Sequence, residues 1–142
     1  MSGFLLDTNI PSELIRSQPS PKVIAWVRAQ AEHLLFLSAV TIGELRKGFV
    51  MLPVSKRRNE LERWFHSDLV PRFRDRILPL TYQVADRWGV LDGERRLKGA
   101  PFNTADGMIA ATALTHGLEL VTRNVKDFAG LGVPLLNPWD AP

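Results

Sequence analysis

Five side chains in this sequence are of the kinds that hold a metal or steer charge at a phosphate: Asp7, Glu44, Asp106, Asn124 and Asp127. Asp7 ends the run "FLLD" and is followed by Thr8 and Asn9. Glu44 stands in "TIGELRKG", Asp106 in "NTADGMIAA", and Asn124 and Asp127 in "TRNVKDF". Each has an ordinary structural reading. Asp7 would close an Asx-type turn behind a strand. Thr41 and Glu44 have the spacing of a capping box. Asp106 lies two residues after Thr104, where a helix N-terminus favours negative charge. Asn124 and Asp127 would cap a turn. As a set they say something different. Three or four carboxyl groups on one rim repel one another and raise their own pKa values unless a cation neutralises them. The cation that suits oxygen ligands and retained waters is Mg2+ or Mn2+. Zinc is disfavoured, because the chain has no cysteine and its three histidines (His33, His66, His116) are scattered and read as surface or helix-end residues.

For these residues to meet, they must lie on elements that share an edge. Strand-like and helix-like segments alternate along the chain. Residues 3–7 read as a short buried strand, and "NIPSELIRS" as a helix capped by Thr8 or Asn9 with Pro11 in its first turn. "QPSP" breaks it, and a second helix follows through "PKVIAWVRAQAEH". "LLFLS" (34–38) is a second strand. Residues 41–52 form a helix with Ile42, Leu45, Phe49 and Leu52 on one face, ended by Pro53. A basic helix over 55–70 buries Leu61, Trp64, Phe65 and Leu69 and closes at Pro71. "ILPL" (77–80) is a third strand. A helix through 81–99 stops at Gly99 and Pro101, and another through "NTADGMIAATALTHG" starts at Thr104 and ends at Gly117. "LELVT" (118–122) is the fourth strand, and "VPLLN" (133–137) an edge strand that tolerates Pro134. Strands separated by helices imply crossovers, hence an α/β fold with a mostly parallel central sheet of four to five strands covered by helices on both faces. Sites in such sheets form beyond the carboxyl ends of the strands, where Asp7 stands.

The chain has 142 residues, 45% hydrophobic and 23% charged, which suits a single domain over 1–142 with a real core. The lack of cysteine fits a reducing cytoplasm. "MSGFLLDTN" reads as neither signal peptide nor anchor, and no stretch reaches the roughly 20 apolar residues of a membrane span. Net charge is +3, unevenly spread: between Arg46 and Arg76 nine basic residues face four acidic ones, a local +5 that includes Arg57 and Arg58. Such a patch is either a solvated helix face or an attractor of phosphate backbones. An acidic, metal-holding rim beside basic helices suits phosphodiester hydrolysis, in which a metal activates water while Lys and Arg hold flanking phosphates.

The strings "FLLDTN", "SAVTIGELRKG", "FNTADGMIAATALTHG" and "LELVTRNVKDF", in this order and spacing, resemble the PIN-domain family, and within it the VapC-like toxins of bacterial toxin–antitoxin pairs. The resemblance spans nearly the whole chain. It implies an acidic triad of Asp7, Glu44 and Asp106 holding Mg2+, with the fourth acidic position at or just after Asn124. Here Asn124 is neutral, so either its amide oxygen serves or Asp127 reaches in. Thr8 and Asn9 match the small polar residues after the first Asp, which in the family hold either it or a metal-bound water. Arg46, Lys47 and Arg123 are expected near substrate, and Arg57 and Arg58 on bound RNA. The resemblance further implies a cytoplasmic endoribonuclease, a homodimer, restrained by a separate VapB-like antitoxin that binds operator DNA.

Two rivals stand beside it. Haloacid-dehalogenase-like phosphatases also run apolar residues into an Asp, but they place a second Asp two residues later, where this chain has Asn9. No glycine-rich phosphate loop is present. A catalytically weak or inactive binding partner, acting through a DNA-binding antitoxin, is the alternative that the neutral Asn124 permits.

Overall fold

A computed structural model describes residues 3–140; the expected domain of 1–142 extends beyond them at both ends. Five strands, β1 (Phe4–Leu6), β2 (Leu35–Ser38), β3 (Ile77–Leu78), β4 (Glu119–Val121) and β5 (Leu135–Leu136), form one sheet in the order β3-β2-β1-β4-β5. Every neighbouring pair is parallel. The connections are helical: α1 (Asn9–Leu14) and α2 (Pro21–Ala29) before β2, then α3 (Ala39–Val50), α4 (Lys56–Trp64) and α5 (Val70–Phe73) before β3. The long α6 (Tyr82–Leu97) and α7 (Thr104–His116) precede β4. A parallel pair cannot be joined by a tight turn, so the crossovers before β4 lay helices on the sheet, while β4 reaches β5 through the short 3-10 turn Val125–Phe128.

Side-chain alternation along the strands builds two cores. Leu6, Leu35, Leu37 and Val121 face a cluster with Ile10, Val23, Val27, Leu45, Phe49, Leu61, Phe65, Leu69 and Phe73. Leu5 and Leu120 face the other side, against Ile109, Ala110 and Ala113 of α7 and Phe128. The alanines let α7 lie close to the sheet, and Gly107, where a Cβ would sit 2.2 Å from the Phe102 ring and 2.9 Å from Trp88, lets it lie close to α6. Helices therefore cover both faces. The fifth strand, expected at an edge, is there beside β4. No helix among the described residues is long and apolar enough to cross a membrane.

Several boundaries differ from the sequence reading, each for a local reason. Helix α3 starts at Ala39, with the Ser38 hydroxyl accepting from Val40 N at 3.0 Å. Thr41 and Glu44 are thus already inside the helix, and the expected capping box does not form. Asn103, rather than Thr104, caps α7 by accepting from Ala105 N and Asp106 N. Thr8 precedes α1 but makes no side-chain cap, because its hydroxyl is used elsewhere. Pro71 does not close the helical path. The chain widens into a π turn over Phe65–Leu69, where Val70 N bonds back to Phe65 O, and Pro71 then falls in the first turn of α5, where its missing N–H is no loss.

Candidate active site at the switch point of the sheet

The chain runs β1, β2, β3 outward on one side, then returns to place β4 on the other side of β1. The crevice between β1 and β4 is therefore the topological switch point, where helices leave in opposite directions and a ligand can enter between them. Leu6 pairs with Val121, so the next residues along each strand, Asp7 and Thr122, are neighbours. Alternation turns both toward the face covered by α7, the helix that carries Asp106. The placement of Asp7 follows from register.

Asp7 is 4% exposed. Its N–H donates to Val121 O at 2.9 Å. Its carboxylate accepts from Thr8 N at 2.7 Å through Oδ1 and from the Thr122 hydroxyl at 2.7 Å through Oδ2. Burial pushes its pKa up; the Thr122 and Thr8 hydrogen bonds oppose this, while Glu44 and Asp127 add to the rise. Thr122 is a hub, since its oxygen also accepts from Asn124 N at 3.0 Å and from Asn9 Nδ2 at 3.4 Å. The Thr8 hydroxyl donates to Glu44 Oε1 at 2.7 Å and lies 3.1 Å from the Thr41 hydroxyl, which ties the second turn of α3 to the tip of β1.

Asp106, half-buried in the first turn of α7, has its pKa pushed up to about 6, first by burial and then by the charges of Asp7, Glu44 and Asp127. The helix N-terminus works in the opposite direction, and burial together with the three carboxylates outweighs it. Four acidic side chains from four segments thus act on one another. Asp127 is exposed on the turn after β4, yet its charge is felt at both Asp7 and Asp106. Asn124 is exposed, and its side chain makes no cap. Asn9 Oδ1 is buried with no hydrogen-bond partner, an orphan acceptor beside the cluster.

These donors fit a hard divalent cation. All are oxygens, their mutual repulsion is what a cation would relieve, and a buried amide oxygen lacks a donor. Among the described residues no three acidic or imidazole side chains already converge as a finished ligand set, so binding would draw the carboxylates together.

The basic candidates are distributed differently. Arg46 Nη1 lies 3.2 Å from Glu62 Oε1, and Arg58 Nε donates to the same carboxylate oxygen at 3.0 Å. Arg58 Nη1 also donates to Leu52 O, and Arg57 Nη2 to Ile15 O at 2.7 Å, bracing α4 against the end of α1. Arg72 and Arg76 converge on Glu32. Lys47 is exposed. Arg123, beside Thr122, has no carboxylate partner among the described ion pairs. Its guanidinium lies 5.2 Å from the centre of the Trp139 ring.

Two residues of the site escape a reading by charge. Thr122 and Thr41 are neutral and closed by strand and helix assignments, though a buried hydroxyl at the end of an apolar strand is itself a signal, because it must find a partner. Glu13 is a further buried carboxylate, 4% exposed. Ser20 N donates to it at 2.7 Å and Arg16 at 3.1 Å, which with the Arg16 and Arg123 charges overcomes burial and holds its pKa down. Its work is to fasten α1 to the start of α2.

The sequence matches the family model of the PIN domain over residues 4–132. The VapC ribonuclease Y4jK of Sinorhizobium fredii is 36% identical over 137 residues, spanning 96% of this chain and 98% of that protein. Toxin FitB of Neisseria gonorrhoeae is 38% identical over 136 residues, spanning 96% and 98%. The solved structure of FitAB bound to an IR36 DNA fragment contains a chain that superposes with a TM-score of 0.90 at 35% identity, covering 98% of this chain and 97% of that one.

Proposed function

The chain belongs to the PIN-domain family, among its VapC-like members, and from that premise we propose that it is a Mg2+-dependent endoribonuclease, the toxin of a toxin–antitoxin pair. The observation that carries the proposal is the gathering of Asp7, Glu44, Asp106 and Asp127 at the switch point, where burial first and the neighbouring carboxylates second push Asp106 up to about 6. A folded protein that keeps such a cluster uncompensated loses stability by it; a cluster that receives a cation does not.

Asp7, Glu44 and Asp106 would hold the ion, with Asn124 or Asp127 as the fourth group; Mn2+ would serve in place of Mg2+. Bound there, the cation would supply Lewis-acid stabilisation of charge at the phosphodiester and a more acidic water. The protein's own residues do the rest. Thr122 and the Thr8 N–H fix both oxygens of Asp7, and the Thr8 hydroxyl keeps Glu44 facing the crevice. Asn9 steadies Thr122. Lys47 and Arg123 offer positive charge to the RNA backbone on either side of the acidic centre, and the α4 arginines, Arg57 and Arg58, extend the field that draws RNA in.

The partners follow from the same reading. The FitAB structure is bound to a DNA fragment. For this chain we infer a VapB-like antitoxin, operator DNA reached through it, and a homodimer as the working form, in the cytoplasm.

The test is cleavage of a mixed cellular RNA pool by purified, antitoxin-free protein with Mg2+, with EDTA, and with Asp106→Asn protein alongside. Cuts that need both metal and Asp106 support the enzyme. Equal inertness of wild type and variant across Mg2+ and Mn2+ would instead favour a catalytically inactive partner that acts through the antitoxin's operator.

A further inference from the structure

The arginines that sequence reading assigns to RNA are mostly occupied. Arg46 and Arg58 share Glu62, and Arg57 is bonded to Ile15 O. An arginine already held by a carboxylate must break that contact to take a phosphate. Arg123 is less committed: it is exposed, makes no direct ion pair among the described ones although its charge is felt at the buried Glu13, and stands one residue from the hub that holds Asp7.

Its position is also fixed. Thr122 N donates to Leu136 O at 2.9 Å, and the Thr122 hydroxyl is locked between Asp7 Oδ2 and Asn124 N. The backbone of residues 122–124 is thus fastened to the same carboxylate that anchors the site. Alternation turns Arg123 away from α7 and toward the α1–α2 side, where Trp139 waits. Trp139 belongs to the short 3-10 turn Pro138–Asp140 and packs on the core cluster of α1 and α2. Its N–H donates to Asn137 Oδ1 at 2.9 Å, and Asn137 Nδ2 reaches Arg123 O at 3.4 Å. Asn137 therefore links the arginine's backbone to the tryptophan's, while the ring supports the guanidinium at 5.2 Å.

A guanidinium held over an indole face by cation–π attraction spends none of its N–H groups on hydrogen bonds to the ring. It loses conformational freedom before any ligand arrives, and its planar fork matches a phosphate's oxygens. The ring face attracts the cation without neutralising it, as a carboxylate would. Resting on the function proposed above, we propose that Arg123 clamps a phosphate of the RNA strand beside the acidic centre, and that Trp139 is the positioning residue that holds the clamp in place.

The test measures binding of a short mixed-sequence single-stranded RNA at several salt concentrations, with Mg2+, in the Asp106→Asn background so that the RNA survives. Arg123→Ala should weaken binding about tenfold, the effect of losing one charge-assisted hydrogen-bonded contact. It should also make the log–log salt slope shallower by about 0.7, one phosphate's worth on a single strand. Arg123→Lys should fall between. Trp139→Leu should weaken binding roughly two- to fivefold when Arg123 is present, and not at all when Arg123 is already Ala. Trp139→Phe, which keeps a ring, should bind nearly as wild type. A purely structural tryptophan would lower the melting temperature and leave this coupling at zero.

The clamp is overturned if Arg123→Ala changes neither affinity nor slope, or if Trp139→Leu costs the same factor in both Arg123 backgrounds. Should Trp139→Leu fail to fold, Arg123→Ala, an exposed change, and Trp139→Phe still decide the matter. Wild-type cleavage of total RNA runs in parallel. Absent cleavage with an intact Arg123 effect on binding removes the enzyme and keeps the clamp, whereas cleavage with no Arg123 effect does the reverse.

Discussion

Replacing Asp106 by Asn should make the metal-free protein more stable while abolishing cleavage. The Asp106 carboxyl is pushed from 3.8 up to about 6 by burial and by three neighbouring carboxylates. A shift of about two units corresponds to roughly 3 kcal/mol at 1.36 kcal/mol per unit. The group is only half-buried, and screening by solvent cuts this to about 1.5 kcal/mol. Asn has nearly the same shape and no charge, and none of the described hydrogen bonds reaches the Asp106 side chain, so little is lost in exchange. The sign follows from the raised value. The folded state holds its proton more tightly than the unfolded one, so wild type is unpenalised below the ordinary 3.8, loses stability as pH rises toward about 6, and carries the full penalty above it. Thermal unfolding in EDTA at neutral pH should put the variant about 4–6 °C above wild type. The gap should close near pH 4. Adding millimolar Mg2+ should raise the wild-type midpoint and move the variant less, since the variant lacks one of the carboxylates that the ion would draw together. A variant that melts at or below wild type in EDTA at neutral pH would refute the electrostatic reasoning, whatever happens to activity.

Thr122→Val keeps the shape of the hub and removes its hydroxyl, leaving a buried Asp7 oxygen without its donor. Cleavage should fall at least about tenfold and stability by roughly 1.5–3 kcal/mol, read by single-turnover kinetics and urea titration. Gly107→Ala would put a Cβ against the Phe102 ring, costing about 1–3 kcal/mol in the same titration as the α6–α7 packing shifts. Glu32, bonded to Arg72 and Arg76, has its pKa held down from 4.5 to about 2. Because its side chain is half-exposed, Glu32→Gln should cost only about 1 kcal/mol at neutral pH. That difference is full above the ordinary 4.5 and should vanish as pH falls through about 2, in paired acid-unfolding curves.

Much of this architecture is legible in the chain because it depends on local pattern. The short, largely apolar runs that end in Asp7, Ser38 and Thr122 announce buried parallel strands, and the helices between them carry their apolar residues at helical spacing. The proximity of Asp7, Glu44, Asp106 and Asp127 follows from the strand order. The particulars that escape are set by competition between nearby groups. Thr41–Glu44 has the form of a capping box, but Ser38 caps one turn earlier and Thr8 claims Glu44 for the crevice. Pro71 reads as a stop, yet a single π turn ahead of it moves the missing donor to a place where none is needed. Arg57 and Arg58 look like free charge in a string of letters. Only the fold brings Ile15 O, Leu52 O and Glu62 within their reach. Thr122, the residue that orients Asp7, has no charge to draw attention, and its role exists only because β4 lies beside β1.

The hydrogen bond that fixes Asp7 joins residues 115 positions apart. The first strand of the chain waits, unpaired on one side, for one of the last, so the acidic centre is among the latest features to assemble during synthesis. A polypeptide interrupted before Thr122 has the helices and most of both cores but no oriented Asp7. On the function proposed above, partial products of translation would lack an oriented Asp7 and with it the cleavage activity, which would begin only when the sheet closes across the switch point.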